Sequence, residues 1–344
     1  MARMRYILES VKELNIEEKE ILLSYLEESI LLGSFGTKLS EDVRESRFSK
    51  GKVCPHCKTS DISRNGKYNG KQRYICKTCR KSFNDFTKSP VSYSKKDLSK
   101  WIQYAKLMIN GATIRKCAEI LDINIATSFF WRHKILEGIK KFLGVGHVDG
   151  VVESDETFVL ESYKGNHSKS KHFKMPRKAY RRGGRASKRG ISNEQICISC
   201  SIDRGGNIIS EVICRGRVKS DDLKKLYDNR IQKDSIFCTD SHKSYIRFAA
   251  DLNLNHIRIK RGRRKEGIYH IQHINSYHSR LKEWMYKFHG VATKYLCNYL
   301  SWFRWLEYFK NDKEPIKYKN LITQSLSAYS KIRVIDFKDI RVTV

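Results

Sequence analysis

The chain has 344 residues, of which 40% are apolar, so its length and composition exclude both a single small domain and a wholly disordered protein. Lysine and arginine number 68 against 37 aspartates and glutamates. The resulting formal net charge of +31 favours a polyanion, above all nucleic acid, as the partner. No apolar run reaches the roughly 18 residues of a membrane span, and the N-terminus lacks a signal-peptide core. We therefore expect a soluble, cytoplasmic protein with no membrane partner.

The chain begins with hydrophobic residues at helical spacing, set between acidic positions. We predict that residues 1–48 form an N-terminal helical segment that passes into a polar linker from about residue 35 onward. Because this is the acidic end of a basic protein, we expect it to serve in packing or association and not to face nucleic acid.

Two C-x-x-C pairs lie within residues 49–88, and eighteen residues separate them. This spacing is typical of a zinc ribbon, in which each pair turns two thiolates toward one tetrahedral ion. The intervening Asn-Gly pairs predict tight hairpin turns. We predict one structural Zn²⁺ held by Cys54, Cys57, Cys76 and Cys79.

A third C-x-x-C pair, Cys197 and Cys200, falls in a segment that reads as a β-strand. Residues three apart on a strand point to opposite faces, so we predict that these two thiols are buried hydrophobic residues and not metal ligands. With four of the ten cysteines at metal spacing and no sign of secretion, a reducing compartment is expected.

Residues 89–146 are predicted to form one domain that is all-helical over residues 94–143, with a short turn around residues 122–124. The pattern is typical of a helix-turn-helix DNA-binding domain whose recognition helix lies near residues 125–137. On that helix we predict that Arg132, His133 and Lys134 remain available to DNA.

From residue 147 to 312 the pattern changes to short strands. The predicted order is strand-strand-strand-helix-strand-helix-strand-helix, an α/β arrangement. An aromatic-rich stretch after residue 290 has the spacing of a core-facing helix, which we favour over a base-stacking surface. Residues 313–344 are predicted to be a C-terminal tail.

A basic insertion at residues 163–190 interrupts the first two strands, with eleven lysines and arginines and no acid. Such a run suits contact with DNA phosphates. The predicted contacts are Arg177, Arg181, Arg182, Arg185, Lys188 and Arg189.

Two aspartates mark the predicted chemistry. Asp155 lies within the apolar strand VVESDETFV, and Asp240 ends the strand SIFCTD. Burying a carboxylate on a strand is costly unless it is paired or binds a metal, so the two together predict a Mg²⁺ site for phosphodiester chemistry.

These motifs, in order with HINSYHSRLK at residues 273–282, resemble the DDE-superfamily insertion-sequence transposases. The similarity is greatest to a zinc-ribbon-bearing group with an Asp-Asp-Asn-Lys signature. By motif position it makes Asp155, Asp240, Asn275 and Lys282 the catalytic residues. The resemblance implies a multidomain α/β protein: an RNase H-like catalytic domain with a mixed sheet, preceded by a zinc ribbon and a helix-turn-helix domain.

The resemblance also implies a reaction and partners. The expected reaction is metal-dependent 3′-end cleavage and strand transfer, with two Mg²⁺ (or Mn²⁺) ions bound by Asp155, Asp240 and Asn275. The expected partner is double-stranded DNA, both element ends and target. We further expect a homo-oligomer in the DNA complex and a bacterial-type, nucleoid-associated location.

The third metal ligand has more than one candidate. Most superfamily members have Glu where this chain has Asn275, whose amide oxygen can still ligate Mg²⁺. His278 lies one helical turn further on and is an alternative ligand or proton carrier. Strand alternation puts Glu153 on the face of Asp155 and Glu156 on the opposite face, so Glu153 is a further alternative.

Two other functions are compatible with the same features. A non-catalytic DNA-binding regulator derived from a transposase would keep the zinc ribbon, the helix-turn-helix and the charge, but it has no need of Asp155 and Asp240 on buried strands. An RNase H-like nuclease would keep the metal site without needing two modules that read DNA ends.

Overall fold

The computed structural model describes residues 2–165, 173–178, 186–260, 262–330, 332–338 and 340, with side chains at 2–3, 24–25 and 27–37 left aside. The chain divides into two compact units. The first comprises residues 1–128 and 313–331, and the second comprises residues 129–312 and 332–344.

The first unit begins with two helices, continues with a small sheet and ends its first segment in helices. Its elements are α1 (Ala2–Glu13), α2 (Ile16–Phe48), β1 (Ile62–Tyr68), β2 (Lys71–Cys76), β3 (Ser82–Asn84), α3 (Leu98–Ile109), α4 (Ile114–Ile120) and the first turn of α5 (Ile125–Leu143).

The long helix α2 shows that the linker expected from about residue 35 was wrong, because the helix continues to Phe48. Its last turns are polar in sequence, but Leu39 and Val43 are fully buried and lie one turn apart on the same face. Arg47, the next residue at this spacing, donates hydrogen bonds to the backbone oxygens of Leu326 and Thr87. A buried stripe only one residue wide is hard to distinguish from a linker in the sequence.

The sheet of the first unit is antiparallel, in the order β1-β2-β3. Asn69 and Gly70 both have positive φ and join β1 to β2, which confirms the hairpin turn predicted from this Asn-Gly pair. The other pair, Asn65-Gly66, lies at an irregularity in the register of β1 and makes no turn between strands.

The second unit is built on a five-stranded sheet. After α5, its elements are β4 (Val151–Leu160), β5 (Gln195–Asp203), β6 (Ile208–Arg215), α6 (Ser220–Tyr227), β7 (Ile236–Asp240), α7 (Lys243–Asp251), β8 (Asn255–Ile259), α8 (Gln272–Tyr286) and α9 (Leu296–Tyr308). The predicted order of strands and helices is confirmed over residues 151–286.

The strands of this sheet lie in the order β6-β5-β4-β7-β8. β4, β5 and β6 are antiparallel neighbours, whereas β7 and β8 run parallel to β4, so the sheet is mixed. Strand β4 is central, and its two faces are covered by different helices. Residues of α6 and α7 pack on one face, and residues of α8 and α9 pack on the other.

The two faces confirm the prediction for the third cysteine pair. Cys197 packs in the core on the α6–α7 side, and Cys200 packs in the core on the α8–α9 side. Both are fully buried. The aromatic residues of α9 also face the core as predicted, with Tyr299 and Trp302 buried.

The C-terminal segment contains a helix, α10 (Glu314–Ser327), and is therefore not simply the predicted tail. The helix belongs to the first unit and packs against α2 and α3. Leu321, Ile322 and Leu326 are fully buried, and Lys319 forms a 3.0 Å ion pair with Asp42. In the sequence, this apolar stripe is diluted by lysines and serines.

Helix α5 corrects the predicted DNA contacts. Arg132 and His133 are buried, at 1% and 2% exposure, so they are not available to DNA as predicted. The His133 ring packs on Tyr295 with the centroids 4.1 Å apart, and Arg132 lies over the ring of Trp302. Lys134 is half-buried. No helix among the described residues is long and apolar enough to span a membrane.

We predict that His133→Ala destabilises the second unit by roughly 2–4 kcal/mol, because the ring leaves a cavity between Tyr295 and Phe129. Burial lowers the pKa of His133 from its ordinary 6.5 to about 3, so the loss should be constant above about pH 7 and should shrink as the pH falls from about 6.5 toward 3, where the unfolded histidine binds a proton that the folded one does not. Urea unfolding measures it, with Lys141→Ala as an exposed control on the same helix. If His133→Ala unfolded at the same urea concentration as the wild type but bound DNA more weakly, His133 would be a DNA contact, as the sequence predicted.

Candidate active site

Asp155 lies in the middle of β4 and faces α8. Its side chain is 21% exposed. Burial, together with the negative charges of Glu156 and Asp240, raises the pKa of its carboxyl from 3.8 to about 7, and the positive charge of Lys282 opposes this shift. The strand thus holds a carboxylate where its charge is poorly solvated and where other carboxylates are near.

Asp240 is the last residue of β7, which runs parallel to β4 and beside it. One of its oxygens accepts a 3.0 Å hydrogen bond from the backbone N–H of His242. Parallel pairing brings the carboxyl end of β7 to the half of β4 that carries Asp155. The electrostatic coupling of the two aspartates follows from this placement.

Helix α8 carries the other motif residues. Asn275 and Lys282 are exposed, whereas His278 is buried at 6% exposure. The Nδ1 atom of His278 lies 3.8 Å from a carboxylate oxygen of Asp155. Burial, with a contribution from Lys282, lowers the pKa of His278 to about 4, so its imidazole is neutral at physiological pH. Its Nε2 atom is buried without a hydrogen-bond partner among the described residues.

A cleft of about 750 Å³ opens beside these residues. Asp240 and Asn275 line it together with Lys260, Arg263 and Arg264, all three of which are exposed. We did not predict these cations as DNA contacts, although the run KRGRRK at residues 260–265 was the signal that could have identified them. They surround the site with positive charge.

The two glutamates of β4 lie on the faces predicted by alternation. Glu156 faces α7, where burial and the negative charge of Asp240 raise its pKa and the nearby hydroxyl of Tyr245 opposes the shift. Glu153 lies on the α8 side, as Asp155 does, but both of its oxygens already accept hydrogen bonds from residues of α8. Glu153 is therefore not free to serve as a metal ligand in this arrangement.

The aspartates fit a divalent cation through the chemistry of their donors. Hard oxygen ligands with uncompensated negative charge are what Mg²⁺ and Mn²⁺ bind. Asp155 and Asp240 supply such oxygens, Asn275 adds a neutral oxygen, and the neutral imidazole of His278, whose Nδ1 atom lies 3.8 Å from Asp155, is a further donor. Among the described residues, two groups of three or more His, Cys, Asp or Glu side chains bring their ligand atoms within 4.8 Å of one another, and neither group includes Asp155 or Asp240. They are Cys54, Cys57, Cys76 and Cys79 and, separately, Glu153, His270 and His273.

The four cysteines of the first unit come together as predicted. Their sulfurs lie within 4.8 Å of one another, with Cys54 to Cys79 at 3.7 Å and Cys57 to Cys76 at 3.5 Å. Four sulfurs around a tetrahedral Zn²⁺ at the usual bond length are about 3.8 Å apart. The cluster therefore has the size of a zinc site.

The structure describes half of the predicted contacts in the basic insertion. Arg181, Arg182 and Arg185 lie outside the described residues. Lys188 and Arg189 are exposed. Arg177 donates a 2.7 Å hydrogen bond to the backbone oxygen of Glu161, so part of its guanidinium is already engaged.

Comparisons with known proteins show similarity to transposases and to proteins of transposable elements. Residues 147–307 match the family model of the ISXO2-like transposase domain. A protein of the transposable element ISH50 from Halobacterium salinarum is 25% identical over 268 residues, which span 75% of this chain and 86% of that protein. A solved pre-cleavage Mos1 transpososome aligns with 67% of this chain and 78% of its own chain, at 14% identity. Its TM-score of 0.21 is too low to support a comparison of folds.

We predict that purified protein contains one Zn²⁺ per chain and that Cys76→Ser abolishes its binding, because a cluster of three thiolates leaves the ion an open position. Cys197→Ser is the matched control, since this cysteine is buried far along the sequence in a hydrophobic core. Elemental analysis of the two variants measures the metal. Equal zinc loss in both variants would contradict the assignment of the four clustered cysteines as the zinc ligands.

A second prediction concerns the metal-free stability of the second unit. Because the folded-state pKa of Asp155 lies above the ordinary value of 3.8, its carboxylate destabilises the metal-free fold increasingly as pH rises from about 4 to 7. Asp155→Asn should therefore stabilise the protein in EDTA at pH 8, on the order of 2–4 kcal/mol, and the gain should disappear near pH 4.

Calorimetry with and without Mg²⁺ measures this effect. Mg²⁺ should raise the Tm of the wild-type protein more than that of the variant, because the variant keeps only Asp240 of the two aspartates that would hold the ion. Equal Tm values in EDTA and equal responses to Mg²⁺ would contradict the assignment of Asp155.

Proposed function

Because residues 147–307 match the family model of the ISXO2-like transposase domain, we propose that the protein is a DNA transposase that binds insertion-sequence ends and catalyses metal-dependent 3′-end cleavage and strand transfer. The observation that carries the proposal is the coupling of Asp155 and Asp240 at the centre of the sheet, opposite a helix with Asn275, His278 and Lys282. A cleft lined by cations beside these carboxylates suits a phosphodiester backbone.

We propose an RNase H-like fold for the second unit. The proposal is supported by the mixed sheet, in which the first three strands are antiparallel neighbours and the next two add in parallel on the other side of the first. In such a sheet the first strand is central, and functional residues gather where its neighbours end.

The proposed reaction assigns a part to each side chain. Bound by Asp155 and Asp240 with Asn275 or His278, a pair of divalent cations would supply Lewis-acid activation of the attacking and leaving oxygens. Asp155 is ionised above pH 7 and available as a ligand. His278 keeps a lone pair because its imidazole is neutral. Lys282 lies close enough to affect the pKa of Asp155 and can bind the phosphate that reaches this carboxylate.

Recognition of the DNA ends is proposed for the zinc ribbon (49–88) and a helix-turn-helix (89–146). Between residues 49 and 96 the sequence has 13 lysines and arginines and two acids. Since Arg132 and His133 are buried, the exposed start of α5, at Asn124, Ile125 and Ala126, is the part that can reach base edges. Recognition helices contact bases through their N-terminal residues. We propose double-stranded DNA as the partner and a homo-oligomer in its complex.

The proposal is tested with purified protein, labelled element-end DNA and Mg²⁺. Asp155→Ala and Asp240→Ala should each lower cleavage and joining by at least about 1,000-fold and leave end binding within about twofold, because they remove charge from the metal site and not from the DNA surface. Asp234→Ala, an exposed aspartate of the same unit, is the control. End binding by wild-type protein without cleavage would identify a regulator, and cleavage without joining would identify a nuclease.

The third ligand is decided by comparing two residues of α8. We predict that Asn275→Ala raises the Mn²⁺ concentration for half-maximal cleavage, that Asn275→Asp retains activity, and that Lys282→Ala weakens DNA positioning without changing the metal requirement. The 3.8 Å approach of His278 to Asp155 makes His278→Ala the decisive comparison. If only His278→Ala changes the metal requirement, the histidine is the ligand and the asparagine is not.

A further inference from the structure

A second buried carboxylate, Glu153, lies two residues before Asp155 on β4. Glu153 is only 1% exposed. One of its oxygens accepts the backbone N–H groups of His273 and Ile274, at 2.8 and 3.2 Å. The other oxygen contacts the Nδ1 atom of His273 at 2.7 Å and the guanidinium of Arg204 at 3.2 Å. The carboxylate is thus surrounded by donors.

The contacts with His273 and Ile274 lie at the start of α8. This helix begins after Ile271, which makes no side-chain capping hydrogen bond. The first amides of a helix have no partner within the helix and carry partial positive charge. Glu153 supplies the acceptor and the negative charge from the strand, so the helix is capped by a residue 120 positions away in sequence.

The cluster of Glu153, His270 and His273 has the spacing of a metal site, but its surroundings do not suit one. The guanidinium of Arg204 lies 3.2 Å from the carboxylate and 3.0 Å from the Nδ1 atom of His273. A divalent ion at this point would meet a cation already in place. The arrangement is that of a neutralised carboxylate.

The position of Glu153 connects three elements that carry catalytic residues. It shares β4 with Asp155, and its register partner on β7 is Cys238, two residues before Asp240. Its hydrogen bonds hold the first turn of α8, and Asn275 follows directly after Ile274. A change in the carboxylate would therefore alter how α8 lies against β4.

We infer that Glu153 is a positioning residue: by capping α8 from β4, it sets the distance between Asp155 and the catalytic side chains of that helix. The inference rests on the proposed function. Misplacing a catalytic group by about 1 Å costs on the order of 100-fold in rate, so the effect falls on turnover and not on DNA affinity.

The test uses the full chain with element-end DNA and the variants Glu153→Ala and Glu153→Gln. Glu153→Ala should lower kcat for cleavage by about 100-fold and leave the Kd for end DNA within about twofold. Glu153→Gln should recover part of the rate, since its amide oxygen still accepts the two backbone N–H groups. Hydrogen–deuterium exchange of the peptide that covers residues 271–276 should accelerate in Glu153→Ala and less in Glu153→Gln.

The matched control is Glu161→Gln, at the residue that directly follows the other end of β4. Glu161 is also buried, at 6% exposure, and it pairs with an arginine, Arg215, at 2.7 Å, but the pair does not cap α8. The Glu161→Gln variant should keep kcat within about threefold of wild type and leave hydrogen–deuterium exchange at residues 271–276 unchanged.

Titration with Mn²⁺ alone, followed by electron paramagnetic resonance, separates positioning from metal binding. Asp155→Asn should lose the ion, and Glu153→Gln should bind it with wild-type affinity. If Glu153→Gln loses Mn²⁺ without faster exchange at residues 271–276, Glu153 is a metal ligand and the inference is wrong. If Glu153→Ala does not fold, turnover, exchange at residues 271–276 and Mn²⁺ affinity are compared in Glu153→Gln and Arg204→Ala instead.

The inference and the proposed function fail in different ways. Normal turnover and normal exchange in both Glu153 variants, beside an inactive Asp155→Ala, would overturn only the inference. An active Asp155→Ala would overturn the proposed function, whereas the exchange measurement would still report whether Glu153 holds α8.

Discussion

The unequal compensation of negative charge along β4 is the constraint on which the rest of the site depends. Glu153 is neutralised by Arg204 and by the first amides of α8, and Glu161 is neutralised by Arg215. Asp155, between them, lies 3.8 Å from the buried, neutral imidazole of His278, and the positive charge of Lys282 only partly offsets the rise in its pKa. A fold that neutralises Glu153 and Glu161 but raises the pKa values of Asp155 and Glu156 concentrates poorly compensated negative charge beside Asp240, which provides a place for a cation.

The sheet and α8 are arranged around that carboxylate. Parallel pairing of β7 with β4 brings Asp240 beside it, and α8 packs across β4 and β5 with His278 facing it. The exposed cations at residues 260–264 border the same cleft. Negative charge at the centre and positive charge at the rim form the pattern expected of a site where ions and DNA phosphates meet.

The sequence predicted those parts of the fold that strong local rules determine. Alternating apolar residues located the strands, C-x-x-C spacing located the cysteine cluster, and alternation separated Cys197 from Cys200. Asp155 and Asp240 stood out because carboxylates rarely occur within apolar strands. The motif resemblance then selected Asn275 and Lys282, which their exposure alone would not have distinguished from other polar residues of α8.

Other features depend on tertiary contacts that the sequence does not display. Arg132 and His133 are polar residues on a helix, but aromatic side chains from α9 and its flanks bury them. Glu153 differs from Asp155 only through Arg204 and the start of α8, both of which are distant in sequence. Thus the sequence identified the candidate ligands, and the structure distinguished the poorly compensated carboxylate that we propose as a metal ligand from the one whose oxygens accept the first amides of a helix.

The most direct test of the central claim is a comparison of Mg²⁺ and Mn²⁺ on element-end DNA with sulfur in place of one oxygen at the scissile phosphate. If Asp155 and Asp240 hold a cation against that phosphate, the sulfur should slow Mg²⁺-supported cleavage by at least about tenfold, and Mn²⁺, which accepts sulfur more readily, should restore the rate. Equal rates with the two ions on the sulfur-substituted DNA would contradict a metal centre at these aspartates.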